Sequence, residues 1–157
     1  MESQLTILAE SLDKKLAVLK EIQAYNVEQE KSFTSGQADL DSFDAAVEKK
    51  GQLIEKLQRL DVGFETMYAK LSEELQGNRE KYAEQIKVLK QKVTAVTELS
   101  VTVQAQEKRN KKLVEEFFNR ERAGIRNSRK SSKAAYDYYK NMNNSNFVPP
   151  QFMDSKN

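Results

Sequence analysis

Three groups of residues in this 157-residue chain have types and spacings that invite a chemical reading. The first is Asp39-x-Asp41-x-x-Asp44, which resembles the start of a calcium loop. Such a loop needs acids at alternate positions, a turn glycine at the sixth and a distal bidentate glutamate. Here Phe43 holds the fifth position and Asp44 the sixth. Asp39 or Asp41 is better explained as a helix cap, accepting first-turn amide protons and meeting the positive end of the dipole. The second group is the paired glutamates Glu73-Glu74 and Glu115-Glu116. Di-iron bundles combine glutamates with Glu-x-x-His, and the chain has no histidine. Cysteine is also absent, which removes disulfides, thiolate ligands and the nucleophile-base pairs built on either residue. An enzyme would need a carboxylate-only active site that nothing singles out, so no catalytic residue, metal or cofactor is expected.

The third group is basic and aromatic: Arg120, Arg122, Arg126, Arg129, Lys130 and Lys133, then Tyr136, Tyr138 and Tyr139. Cations meet phosphates and tyrosines stack on bases, so the composition suits nucleic acid. Against this, the whole chain carries only +2, the patch is one short segment, and no nucleic-acid motif surrounds it. A membrane-surface helix would need a larger apolar face than this segment has. A helix for a protein partner remains, with Tyr136 and Tyr139 on one face as anchors.

The elements that position these groups are helices. Both prolines, Pro149 and Pro150, fall near the end, so nothing before them interrupts a helix. Leu5, Leu8, Leu12, Leu16, Leu19 and Ile22 recur at steps of three and four, which predicts a first helix over about 3–32. Thr34-Ser35-Gly36-Gln37 ends it, with Gly36 as the left-handed residue. A second stripe runs through Leu40, Phe43, Val47, Leu53, Ile54, Leu57, Leu60, Phe64, Met67, Leu71 and Leu75, predicting a helix over about 39–75. Glu48, Lys49, Lys50 and Gly51 interrupt this stripe. A mid-helix glycine costs about 1 kcal/mol relative to alanine, so at Gly51 either the helix bends or a neighbouring backbone comes close, and close approach of the first helix is the favoured reading.

After Gln76-Gly77-Asn78 the spacing becomes strictly heptad: Tyr82, Ile86, Leu89, Val93, Val96, Ser100, Val103, Glu107, Asn110, Val114 and Phe117. This predicts a third helix over about 78–122, roughly 65 Å long and longer than either partner. Glu107 and Asn110 fall on its seam. Three readings stand: the helix overhangs its partners and the seam is wet, Asn110 is buried and fixes register, or the polar seam belongs to a partner groove. The fold class expected is all-α, an elongated antiparallel three-helix bundle or coiled coil over 1–124. A basic, aromatic extension, helical or partly disordered, follows over 125–157, and it is expected to bind substrate.

Charge divides the same way. Residues 1–119 hold 18 Lys+Arg against 21 Asp+Glu, and residues 120–157 hold 8 against 3. No apolar run approaches the roughly 20 residues that span a bilayer, and MESQLTILAE lacks the pattern of a secretory signal, so a cytoplasmic protein is expected.

Over nearly its full length the chain resembles the flagellar export chaperones of the FlgN type. The resemblance rests on the Leu-rich first helix, the turn Ser35-Gly36-Gln37-Ala38-Asp39-Leu40 leading into DAAVEKKGQLIEKLQRLD, the segment QAQEKRNKKLVEEFF, and the tail motif AAYDYYK. It implies a cytoplasmic chaperone that keeps hook-filament junction proteins (hook-associated proteins) unassembled and delivers them to the flagellar type III secretion apparatus. It further implies that the C-terminal region grips the cargo. Carried onto this chain, the candidates are Leu113, Val114, Phe117, Phe118, Ile125, Tyr136, Tyr139, Phe147 and Phe152. The alternatives are a scaffold coiled coil that self-associates through the long seam and a chaperone for the filament cap protein. A homodimer that opens for cargo is a further arrangement that exposed seam residues allow.

Overall fold

A computed structural model of the chain describes residues 1–120 and 125–144, with the side chains of 125–132 and 143–144 excepted. The described residues form four α-helices: α1 (Glu2–Thr34), α2 (Leu40–Gly77), α3 (Ala83–Arg120) and α4 (Ile125–Asn144). The fold is all-α, as expected. The extension is helical up to Asn144.

Local chemistry sets the turns. Gly36 has φ 75°, and the Gln37 amide donates to the Ser32 carbonyl at 3.2 Å, a Schellman closure of α1. Asp39 caps α2: its carboxylate accepts from the Asp41 amide at 3.3 Å and from the Ser42 hydroxyl at 2.7 Å. These bonds, that from Ser42 foremost, hold its carboxyl below the usual aspartate value. Turn residues occupy 78–82, so α3 begins at Ala83 rather than near 78. At 38 residues α3 equals α2 in length, and the expected longer third helix is corrected.

The first three helices run up, down and up. Lys92 reaches Asp13 at 2.6 Å and Arg109 reaches Glu30 at 3.2 Å, so α1 and α3 lie parallel with a constant offset. Lys15 pairs with Asp61, and Lys50 reaches Asn26, which sets α2 antiparallel to α1. α1 packs along both α2 and α3, while α4 lies mainly on α2 and more lightly on α3. One half of the bundle therefore has three helices and the other four.

The seams are continuous. Leu5, Leu8, Leu12, Leu19 and Ile22 of α1, Ile54 and Leu57 of α2, and Leu89, Val96 and Val103 of α3 are all essentially inaccessible to solvent. Ala135, Tyr138, Tyr139 and Met142 of α4 join the same core. At the end where α1 meets α2, Phe33 packs edge-on against Phe43 and Phe117, with ring centroids 5.5 and 5.2 Å apart. Phe118 completes this cluster against Phe43 and Phe117. Edge-to-face rings at such distances add to their area burial. Gly51 departs from expectation: a Cβ there would meet nothing within 4 Å, so no close approach of α1 requires it.

Candidate functional site

The apolar seams give way to a polar layer at one level of the four-helix half. Continuing the α1 stripe past Ile22 by steps of four and three brings Asn26 and Gln29 to the core, and the same steps from Val47 bring Lys50. Glu107 and Asn110 hold the corresponding places on α3. All five are buried, with Lys50 at 0% exposure, Asn110 at 1% and Glu107 at 3%. The reading that Glu107 and Asn110 face water on an overhanging helix is thereby corrected, because Asn26 and Gln29 of α1 and Lys50 of α2 face them at this level and Tyr138 of α4 covers it.

The layer is organised around one cation, and of its side-chain polar atoms Asn110 Oδ1 is buried without a hydrogen-bond partner among the described residues. The Lys50 ammonium donates to Asn26 Oδ1 at 2.8 Å, Gln29 Oε1 at 2.9 Å, and both Glu107 oxygens at 3.0 and 3.3 Å. The Tyr138 ring lies 4.4 Å from the same ammonium, and its hydroxyl donates to Glu107 Oε1 at 2.5 Å. Gln29 Nε2 donates to the Tyr139 hydroxyl at 3.5 Å, and Asn110 Nδ2 to the Asn26 carbonyl at 3.0 Å. Burial pulls Lys50 below the usual lysine value, partly offset by Glu107. Burial, with the Glu107 charge added, pushes Tyr138 and Tyr139 well above the usual tyrosine value. Every α1–α3 acceptor of Lys50 is present without α4, and α4 adds the tyrosine lid.

Above this layer α3 and α4 diverge enough to leave a groove of about 310 Å³, lined by Lys111, Val114, Glu115 and Phe118 from α3 and Ala135, Tyr136, Tyr139 and Lys140 from α4. Val114, Ala135 and Tyr139 are buried and make the floor. Phe118 is half-buried, and Tyr136 is 66% exposed on the rim. The inward Tyr138 bond fixes the rotation of α4, and two residues earlier the chain presents Tyr136 outward. An open apolar floor edged by an aromatic and charged side chains suits a helix or extended segment of another protein.

Four of the nine residues picked from sequence, Val114, Phe118, Tyr136 and Tyr139, line this groove together. Leu113 is half-buried against the core, and Phe117 turns inward to Phe33. Ile125 opens α4, but its side chain is outside the described set, and Phe147 and Phe152 lie outside the described residues. Lys111, Glu115, Ala135 and Lys140 were not anticipated as groove residues. Their signal is the i, i+4 spacing of Lys111 with Glu115 and of Tyr136 with Lys140, which places each pair on one helix face.

Among the described residues no group of three or more acidic side chains is placed to hold a metal ion, and no helix is long and apolar enough to cross a membrane. No curated protein and no solved structure matches the chain. A family model described as FlgN protein matches residues 1–144, which takes in all four helices and both walls of the groove. The chain therefore belongs to the FlgN family of flagellar export chaperones.

Proposed function

We propose that this chaperone works in the cytoplasm on hook-filament junction proteins, holding them unassembled in the α3/α4 groove and passing them to the flagellar type III secretion apparatus. The observation that carries the reading is the convergence of Val114, Phe118, Tyr136 and Tyr139 on one open groove. Assembly segments that pack as coiled coils expose apolar stripes before they find their partners. A groove with a buried apolar floor shields such a stripe, and a shallow one releases it again. The placement of the groove at the four-helix half leaves the three-helix half free for other contacts.

Co-purification from the native cytoplasm tests this. The tagged full chain should recover a hook-filament junction protein, and Tyr136→Ala should recover markedly less, because an exposed aromatic rim residue contributes contact without supporting the fold. Recovery of only the filament cap protein would reassign the cargo. Recovery of nothing but copies of the chain itself would favour self-association instead.

A further inference from the structure

The charges on the groove walls define what kind of helix it takes. Lys111 on α3 and Lys140 on α4 line the groove from opposite walls, and both are exposed. The described ion pairs employ Lys15, Lys50, Lys92 and Arg109, which leaves Lys111 and Lys140 without an intramolecular carboxylate partner among the described residues. Glu115 is the one acid on the lining. Further along, the first half of α4 supplies Arg126, Arg129, Lys130 and Lys133 and no carboxylate. The remainder of the chain, residues 1–119, is net acidic. Along the sequence positive charge is concentrated from Arg120 onward, where Asp137 is the one acid within α4, and on the groove lining Lys111 and Lys140 outnumber Glu115, so the lining selects a partner of opposite sign.

We propose that the groove is a receptor for an amphipathic helix whose apolar stripe is bordered by carboxylates on both sides. The stripe lies on Val114, Phe118, Ala135 and Tyr139. Its bordering acids meet Lys111 on one side and Lys140 on the other. Glu115 lies one turn beyond Lys111 and repels an acid at that level, so a neutral or basic residue of the partner belongs there. This inference rests on the reading of the groove as the cargo site and adds the charge pattern by which cargo is chosen. Exposed pairs of this kind discriminate more than they bind, since each is weak and screened by salt. Selection among apolar stripes is the task they suit.

The test uses the full chain and two designed helical peptides, both with leucine at heptad positions a and d, one with glutamate at e and g and the other with lysine there. Fluorescence anisotropy should show the glutamate peptide binding about tenfold more tightly at low salt, with the difference shrinking as salt rises. In Lys111→Glu/Lys140→Glu the preference should reverse, and binding of the lysine peptide shows at once that this variant is folded. Equal, salt-independent binding of both peptides that weakens in Tyr136→Ala would overturn the charge inference and leave the cargo groove standing. Failure of either peptide to bind, with cargo recovery unchanged by Tyr136→Ala, would overturn both. Two other occupants have their own signatures. A chain ending at Asn144 that binds the glutamate peptide tenfold more tightly would assign the groove to residues 145–157. A two-chain mass that falls to one in Lys111→Glu/Lys140→Glu would assign it to a second copy. Either result overturns the proposal.

Discussion

The Lys50 ammonium and the Glu107 carboxylate form an ion pair at 3.0 Å in the middle of the bundle, with side-chain exposures of 0% and 4%. Taking both charges out of water costs several kcal/mol per ion, and the pair survives because Asn26, Gln29 and Tyr138 fill the remaining hydrogen-bond directions. The layer thus contributes little net stability. It does penalise any arrangement of the helices that separates its members. Heptad seams alone would tolerate a shift of α1 against α3, whereas a shift by one heptad would strand Lys50 or Glu107 without its partner.

Removing one member is therefore predicted to be much worse than removing both. Lys50→Met leaves Glu107 buried without its cation and should lower unfolding free energy by about 3–5 kcal/mol. Lys50→Met/Glu107→Leu should regain most of that loss. Urea unfolding followed by circular dichroism measures both. A double variant as unstable as the single one would mean that the pair itself supplies the stability.

Tyr138 is the shorter of two polar ties between α4 and this layer: its phenol donates to Glu107 at 2.5 Å, whereas Gln29 reaches the Tyr139 hydroxyl at 3.5 Å, and the acceptors of Lys50 all come from α1 and α3. Tyr138→Phe keeps the ring over Lys50 and deletes one charge-assisted bond, a change of about 1.5–3 kcal/mol. Its effect should concentrate on α4. Hydrogen exchange should accelerate over Ile125–Asn144 and change little in α1 to α3. A uniform acceleration of all four helices would show that α4 opens only when the whole bundle does.

How much of this was legible in the sequence follows from which side chains mark a seam. Leucine and valine at steps of three and four located α1, α2 and α3 within a few residues. The heptad phase of α3 placed Glu107 and Asn110 on the seam but did not reveal whether the seam was covered, because the cover is α4. Lys50 is hidden in the sequence because a charged run such as Glu48-Lys49-Lys50 normally marks the solvent face. Its place three residues after Val47 and four before Ile54 was the available signal, and only the facing Glu107 explains it. Tyr138 was grouped with the basic patch for a similar reason: its neighbours Tyr136 and Tyr139 have the same composition, and the helix rotation that buries it is set by the bond to Glu107. Within the groove, Val114, Phe118, Tyr136 and Tyr139 were visible as candidates. That they share one groove depends on α4 folding back onto α2 with one edge beside α3, which no local pattern encodes.

Gly51 offers a test of the helix itself. It lies inside α2, and a Cβ added there would meet nothing within 4 Å. Replacing an unstrained helical glycine by alanine removes backbone freedom from the unfolded chain, so Gly51→Ala should stabilise the protein by about 0.5–1 kcal/mol. Thermal unfolding would show a higher midpoint. A lower midpoint would mean that α2 has to flex at this position, one residue from Lys50, for the polar layer to close.

Alkaline pH should dismantle the layer from its tyrosines. Burial and the Glu107 charge raise Tyr138 and Tyr139 well above the ordinary value of 10.0, so between pH 10 and their raised values the unfolded chain loses protons that the folded chain keeps. Their contribution to stability is complete below about pH 10 and declines as pH rises further. Lys50 acts in the opposite sense. Its folded value is depressed, so it disfavours the folded state at neutral pH, and that cost is relieved as pH rises from the folded value toward 10.5. Below about pH 10 only Lys50 changes stability, between about pH 10 and 10.5 the two effects oppose each other, and above that only the tyrosines change it further. Phenolate absorbance and helical circular dichroism, recorded together through an alkaline titration, should show a late tyrosinate component that rises as helix is lost. Tyr138→Phe/Tyr139→Phe should lack that component. If the late component appeared while the helical signal held steady, water would have to reach both hydroxyls in the folded bundle, and the tyrosine lid over Lys50 and Glu107 would be open in solution.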